Sequence, residues 1–420
     1  MNERKPSWRK YTLTASIILL CILAGLIYRA MTWNNQDSEL QNANEKLIRT
    51  WVADIYFPDK DPADLTDEDL ASVTRLQIGN RMQNQEIEEL SDIEYLKKFK
   101  NMNMLILEDF HIPPTVIPKW MKILAKFGII DPKKRMFLDL SPLKELNYLE
   151  ILRLVKMPVN NIRPLKYLNN LQILSLLETK VSDLKPLKGL KNLESLDLTR
   201  TLVSDLRPLK NLNKLEMLTL SETKVSNLSP IKNLTNLQRL SLLKTNVSDL
   251  EQIINLKNLL ILSCSDTNIS NLDPIKGMIK LEVLSCENTQ VSDLKPLKEL
   301  ANLKHLRLDN TQIKSLEPIK ELTNIEELGL NHTNVSDFMF LSQLTKLEYL
   351  YLRDTQVSDI EPLGALVNLK ILNLINTQIT NLDALKKLTN LQRLNIGGCE
   401  KITNEQVQDL QKALPNLTIR

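Results

Sequence analysis

The sequence predicts a solenoid: a curved stack of short coils with a parallel β-sheet on the concave face and short 3₁₀ or helical turns on the convex face, preceded by a single N-terminal transmembrane helix. Three observations predict it. Leu149, Leu171, Leu193, Leu215, Leu237, Leu259, Leu281, Leu303, Ile325, Leu347, Leu369 and Leu391 stand 22 residues apart, so one unit recurs twelve times in register. Within each unit an apolar residue follows three positions later and another two after that, the alternation of a short strand with one face inward. Residues 11–28, "YTLTASIILLCILAGLIY", carry no charge, and as a helix rising about 1.5 Å per residue they reach about 27 Å, enough for a bilayer core.

The N-terminus sets the compartment. Arg4, Lys5, Arg9 and Lys10 precede the apolar run and only Arg29 follows closely. The excess of positive charge places residues 1–10 in the cytoplasm, residues 11–33 in the membrane as a signal-anchor, and the rest of the chain outside, in the periplasm or at the cell surface. Trp8, Tyr11, Tyr28 and Trp33 flank the span where interfacial aromatics belong. The alternative is a cleaved signal peptide. Tyr28-Arg29-Ala30 makes a poor cleavage site, and either reading exports the remainder.

Residues 34–64 read as a polar linker with a short amphipathic helix from Lys46 to Phe57. Residues 65–148 read as an N-terminal cap with irregular repeats. Thr66 and Asp69 have the spacing of a capping box that opens a helix. Residues 111–136 interrupt this region. Trp120, Ile123, Leu124 and Phe127 recur at i, i+3, i+4 and i+7, an apolar helical stripe, with Lys119, Lys122 and Lys126 off it. That element either folds over the solenoid flank or docks on a membrane surface or a partner.

Residues 149–396 are the regular array, with "LESLDLTRTLVSDLRPLKNLNK" as one unit. A single coil of this length cannot bury its apolar side chains; stacked neighbours make one continuous core. Thr179, Thr201, Thr223, Thr245, Thr267, Thr289, Thr311, Thr333, Thr355 and Thr377 form a column where the chain leaves the strand. Their hydroxyls are placed to satisfy backbone groups of the turn. The following Ser-Asp-Leu step, often with Pro, opens a brief turn, because proline is tolerated at the first helical position. Cys264 and Cys286 occupy the third apolar strand position of adjacent coils. They are expected to touch as buried thiols, with a disulfide as the alternative, which needs Cβ vectors that converge whereas stacked parallel strands point them the same way.

This pattern resembles the leucine-rich repeats of the bacterial internalin type, with Thr in the column where that family usually has Asn. The resemblance spans about Leu65 to Arg420. It makes "LTDEDLASVTRLQI" a helical opening cap and "IEELSDIEYLKKFKNMNMLIL" a first, degenerate repeat. Residues 397–420 are similar to longer, cysteine-containing repeats, with Cys399 in the Thr column, and are expected to form a helical C-terminal cap. The fold implied is a leucine-rich-repeat solenoid, and the activity implied is surface interaction.

Composition excludes much else. The 420 residues are 43% hydrophobic but only 5% aromatic, so the core is aliphatic. A net charge of +3 spread over a mixed surface gives no argument for nucleic acid as a partner. The four Cys include no Cys-x-x-Cys pair, against zinc ribbons and thioredoxin-like chemistry. His111, His305 and His332 are the only histidines, and no phosphate loop, metal spacing or nucleophile elbow is present. No cofactor, metal or catalytic residue is expected.

Solenoids bind along their concave sheet. Most of the outward positions there are small and polar, but three successive coils change character. His305, Arg307 and Asp309 come first, then Glu327, Asn331 and His332, then Tyr349, Tyr351, Arg353 and Asp354. Aromatic residues and Arg are what binding hot spots favour. A second candidate is the apolar run Ile151, Val155, Ile173, Leu177 and Met217 at the N-terminal end. The expected function is non-enzymatic binding of a protein partner by a membrane-anchored array. The alternative is adhesion to the cell envelope or to a glycan.

Overall fold

The computed structural model describes residues 45–46, 48–50, 52–79, 94–108 and 137–420. The expected span at 11–33 and the expected helix bearing Trp120, Ile123, Leu124 and Phe127 lie outside these residues. Among the described residues no helix is long and apolar enough to cross a membrane.

One parallel sheet runs the length of the molecule, its strands in strict sequence order. The strands are β1 (Arg75–Gly79), β2 (Met104–Glu108) and β3 (Ile151–Val155), then eleven of three residues: β4 (Ile173–Ser175), β5 (Ser195–Asp197), β6 (Met217–Thr219), β7 (Arg239–Ser241), β8 (Ile261–Ser263), β9 (Val283–Ser285), β10 (His305–Arg307), β11 (Glu327–Gly329), β12 (Tyr349–Tyr351), β13 (Ile371–Asn373) and β14 (Arg393–Asn395). Thr418–Ile419 closes the sheet as β15. From β3 to β14 each residue pairs with the one 22 positions on, as the period requires. Met104 pairs with Ile151, so β2 and β3 are direct neighbours in the sheet.

Each coil fills the interior with aliphatics. In residues 193–214 these are Leu193, Leu196, Leu198, Val203, Leu206, Leu209 and Leu212, none more than 1% exposed. Burying one such side chain is worth about 1.5–3 kcal/mol, and most of that depends on the coils above and below. The convex side is 3₁₀ throughout, for example Lys185–Gly189 and Arg207–Leu209, with Pro at the first turn. An aspartate or asparagine before most turns anchors them: Asp205 Oδ1 accepts from the Arg207 N–H at 2.9 Å, and Asn227 Oδ1 from that of Ser229 at 2.9 Å; Ser315 does the same for Glu317.

Two corners close each coil. At the first, the Thr column does what its position predicts. Thr201 Oγ1 donates to the Leu198 carbonyl at 2.6 Å, and Thr179, Thr223 and Thr311 repeat the bond at 2.6–2.7 Å. The residue before each Thr has positive φ, from Glu178 through Lys244 and His332 to Asn376, as does Lys156 before Met157, with values of 53° to 58°. In the last coil Gly398 takes this place at φ 75°. The second corner is held by asparagines that bridge to the preceding coil, as when Asn192 Nδ2 donates to the Asn169 carbonyl at 3.0 Å and Asn302 Nδ2 to that of Ile279 at 2.8 Å.

Both ends are capped. The helix expected from Lys46 to Phe57 is present at residues 45–46, 48–50 and 52–56, and Ile48, Val52 and Ala53 enter the core. The helix Asp67–Ser72 begins with the expected capping box, Asp69 N–H donating to Thr66 Oγ1 at 3.1 Å and Thr66 N–H to Asp69 Oδ2 at 2.8 Å. The helix Asn404–Ala413 opens with a second box, Thr403 with Gln406, and covers the far end through Leu410. Cys399 stands in for Thr, its Sγ donating to the Leu374 carbonyl at 3.0 Å. Cys264 and Cys286 are free, fully buried thiols with their sulfurs 3.0 Å apart.

Candidate binding site on the concave face

The sheet brings the predicted residues of three coils side by side. His305 pairs in register with Glu327, and Glu327 with Tyr349; Arg307 pairs with Gly329, and Gly329 with Tyr351. Strand alternation turns all six outward, because Leu306, Leu328 and Leu350 between them are fully buried.

Much of the polar patch is already engaged. Glu327 is the hub: Arg307 Nε donates to Oε1 at 2.8 Å, Arg307 Nη2 to Oε2 at 3.2 Å, and His305 Nδ1 lies 3.0 Å from Oε2. Burial pushes the Glu327 carboxyl up, but the bonds and charge of Arg307 and His305 outweigh it and hold its pKa below the usual value. Asp309 folds inward, its Oδ1 accepting from the Asn331 N–H at 2.8 Å, and burial raises its pKa. Asn331 Oδ1 in turn accepts from the Arg353 N–H at 2.8 Å. Asp354 takes Asn376 Nδ2 at 2.7 Å and Arg353 Nε at 2.9 Å, with His332 Nδ1 at 3.4 Å; these bonds hold its pKa low. His332 and Asp354 therefore belong to the rim where the chain turns with positive φ, not to the sheet itself.

Tyr349 and Tyr351 differ. Both are half-buried, and among the described residues neither hydroxyl has a hydrogen-bond partner. Burial, with the Glu327 charge nearby, raises the Tyr351 pKa, so its hydroxyl is protonated at neutral pH and able to donate. Gly329, in register with Tyr351, makes room for the Asp309 carboxylate. Two rigid amphipathic rings on a floor of fixed charges form a surface suited to an extended ligand.

The second candidate is also a real depression. A concavity of about 560 Å³ is lined by Val155, Ile173, Leu177 and Met217 of the apolar run, but not by its Ile151, together with Arg153 and Glu108. Met217, one of its lining residues, is 38% exposed. The Arg153 guanidinium has no partner among the described residues, whereas Asp197 on the opposite wall is occupied by Ser175 and Thr199. Arg153 lies in β3 between Ile151 and Val155 of the apolar run itself, and the apolar pattern did not single it out. No group of His, Cys, Asp and Glu suited to a metal ion occurs among the described residues.

A concave parallel sheet, a 3₁₀ convex side and repeats in register define a leucine-rich-repeat protein. The family described as leucine-rich repeats (two copies) matches residues 257–299, 345–387 and 367–412. The array is similar to those of internalin-type proteins. It is similar to an internalin, InlF, of Listeria monocytogenes, at 28% identity over 83% of this chain and 94% of that one, with a TM-score of 0.71. It also shares its fold with a leucine-rich-repeat protein of Leptospira interrogans, at 22% identity over 84% of this chain and 97% of that one (TM-score 0.63). The plant peptide hormone receptor RGFR1, solved in complex with RGF2, has the same fold at 19% identity over 83% of this chain and 55% of its own (TM-score 0.60). No curated protein matches the chain in sequence. Leucine-rich-repeat proteins of this kind mediate protein–protein interaction.

Proposed function

We propose that the chain is a non-enzymatic binding protein that is anchored in the membrane by residues 11–33 and takes a protein partner on its concave face. The observation that carries the reading is the Tyr349–Tyr351 pair: two partly exposed rings with unengaged hydroxyls, on a face where the neighbouring charges are internally paired. A partner that buries both rings and accepts from their hydroxyls gains area and hydrogen bonds at little cost in conformational entropy. Replacing Tyr349 and Tyr351 with Ala is expected to weaken capture of the partner at least tenfold without lowering the melting temperature. Unchanged capture contradicts the reading, and loss of capture on competition with sugars assigns the face to a glycan instead.

The charge asymmetry about the apolar run supports a cytoplasmic N-terminus with the array outside. A reporter fused after Trp33 that is active only on the outer side agrees with this placement; activity in the cytoplasm rules it out.

A further inference from the structure

The convex face carries a feature that the concave site does not use. Lys166, Lys188, Lys210 and Lys232 recur at one position of four consecutive coils, on or directly after the 3₁₀ turns, and all four are exposed. Ile254 ends the file. Among the described residues none of the four has an ion-pair partner; Lys166 only rests on the Tyr167 ring, 4.8 Å from its centre. Arg163 and Lys185, one position before the proline of their turns, add to the same strip. The flanking coils mostly pair the same column: before the run Lys144 lies 3.8 Å from Glu145, and after Ile254 Lys298 lies 3.8 Å from Glu299, Lys320 3.0 Å from Glu317 and Lys386 2.7 Å from Asp383, while Lys276 has no ion-pair partner among the described residues.

Ammonium groups stacked about one coil apart, roughly 5 Å at the sheet, repel one another, and in these four coils no ion pair among the described residues offsets this. An anion laid along the file does, and it releases the counterions that the file holds. The shape of the strip selects the anion. Asp183 and Asp205 border it, each accepting from the backbone of its turn, and Asp205 also holds Arg207 at 2.9 Å. A flat anionic surface meets these carboxylates, but a chain one file wide does not. The column on the other side, Tyr167, Gly189, Asn211 and Asn233, holds one aromatic, where base stacking uses several. We propose that Lys166, Lys188, Lys210 and Lys232 form a docking strip for a linear, phosphate-bearing polyanion other than a nucleic acid.

The test is binding of end-labelled inorganic polyphosphate to the full chain in neutral detergent, read by fluorescence anisotropy. Four lysine–phosphate contacts give a slope of about −3 in log affinity against log salt, so raising salt from about 50 to about 200 mM weakens binding roughly fiftyfold. The variant K166Q/K188Q/K210Q/K232Q is expected to lose at least tenfold in affinity with unchanged circular dichroism and melting. The control K276Q/K298Q/K320Q keeps wild-type affinity. The proposal is overturned if the quadruple variant binds as wild type does. It is equally overturned if the strip binds only phosphatidylglycerol vesicles, or binds a single-stranded oligonucleotide more tightly than polyphosphate.

Discussion

Gly329 stands in register beside Tyr351, and the carboxylate of Asp309 lies across it from the other side. A Cβ at position 329 would sit 2.4 Å from Asp309 Oδ2, while Asp309 Oδ1 is held by the Asn331 N–H. The glycine thus makes room for the Asp309 carboxylate beside Tyr351. Gly329→Ala is expected to displace Asp309 and weaken its bond to Asn331, costing about 1–2 kcal/mol. Urea unfolding measures it, and a loss below about 0.3 kcal/mol would show that the carboxylate moves aside freely.

Asp309 also makes stability depend on pH. Burial raises its pKa above the model-compound value of 3.8, so the folded state binds more protons than the unfolded state just above that value. Stability from this group is fully present below pH 3.8 and falls as pH rises through the folded pKa. Asp309→Asn keeps an oxygen for the Asn331 N–H and removes the titration. At pH 7 the variant is expected to be at least as stable as wild type, with the difference vanishing as pH falls to about 4. A variant less stable at pH 7 but not at low pH reverses the sign and contradicts this account.

The Thr column has graded consequences. Among the described residues the Leu308 carbonyl accepts from the Thr311 hydroxyl alone, whereas the Leu242 carbonyl also takes the Thr245 N–H at 3.1 Å. Thr→Val conserves shape and leaves a buried acceptor short of a donor. Thr311→Val is expected to cost about 1–3 kcal/mol and Thr245→Val less. Equal losses in chemical denaturation would mean that the backbone bond contributes nothing extra.

The corner before the Thr column carries strain that glycine relieves. Lys244 has φ 53° and its N–H donates to the Ser265 carbonyl at 3.0 Å, a bond that any residue keeps. A left-handed conformation costs about 1–2 kcal/mol for a residue with a Cβ, against about 0.5–1 kcal/mol of added unfolded-state entropy for glycine. Lys244→Gly is therefore expected to stabilise by roughly 0.5–1 kcal/mol. A fall in melting temperature would show that the corner is not strained.

Much of this was legible in the sequence because the period forces it. Twenty-two-residue spacing fixes which side chains share a column, so Leu193, Thr201 and the turn near Pro208 declare their roles, as do the capping pair Thr66 and Asp69. The paired thiols Cys264 and Cys286 follow from the same register. What was not legible depends on bonds between coils. Nothing about Lys244 or Glu222 as residue types announces positive φ, since the corner imposes it. Glu327, Asn331 and Asp354 read as free ligand groups until their partners, 20 to 22 residues away, are placed beside them. That leaves Tyr349 and Tyr351 as the part of the predicted patch with capacity to spare.

The central claim is that the partner lies against the concave sheet. The direct measurement is photo-crosslinking in the native membrane from position 351, with position 255 on the convex face as the control. The account predicts that one protein is captured from 351 and not from 255, and that Tyr349→Ala reduces its yield. Capture of the same protein from 255 but not from 351 would contradict it.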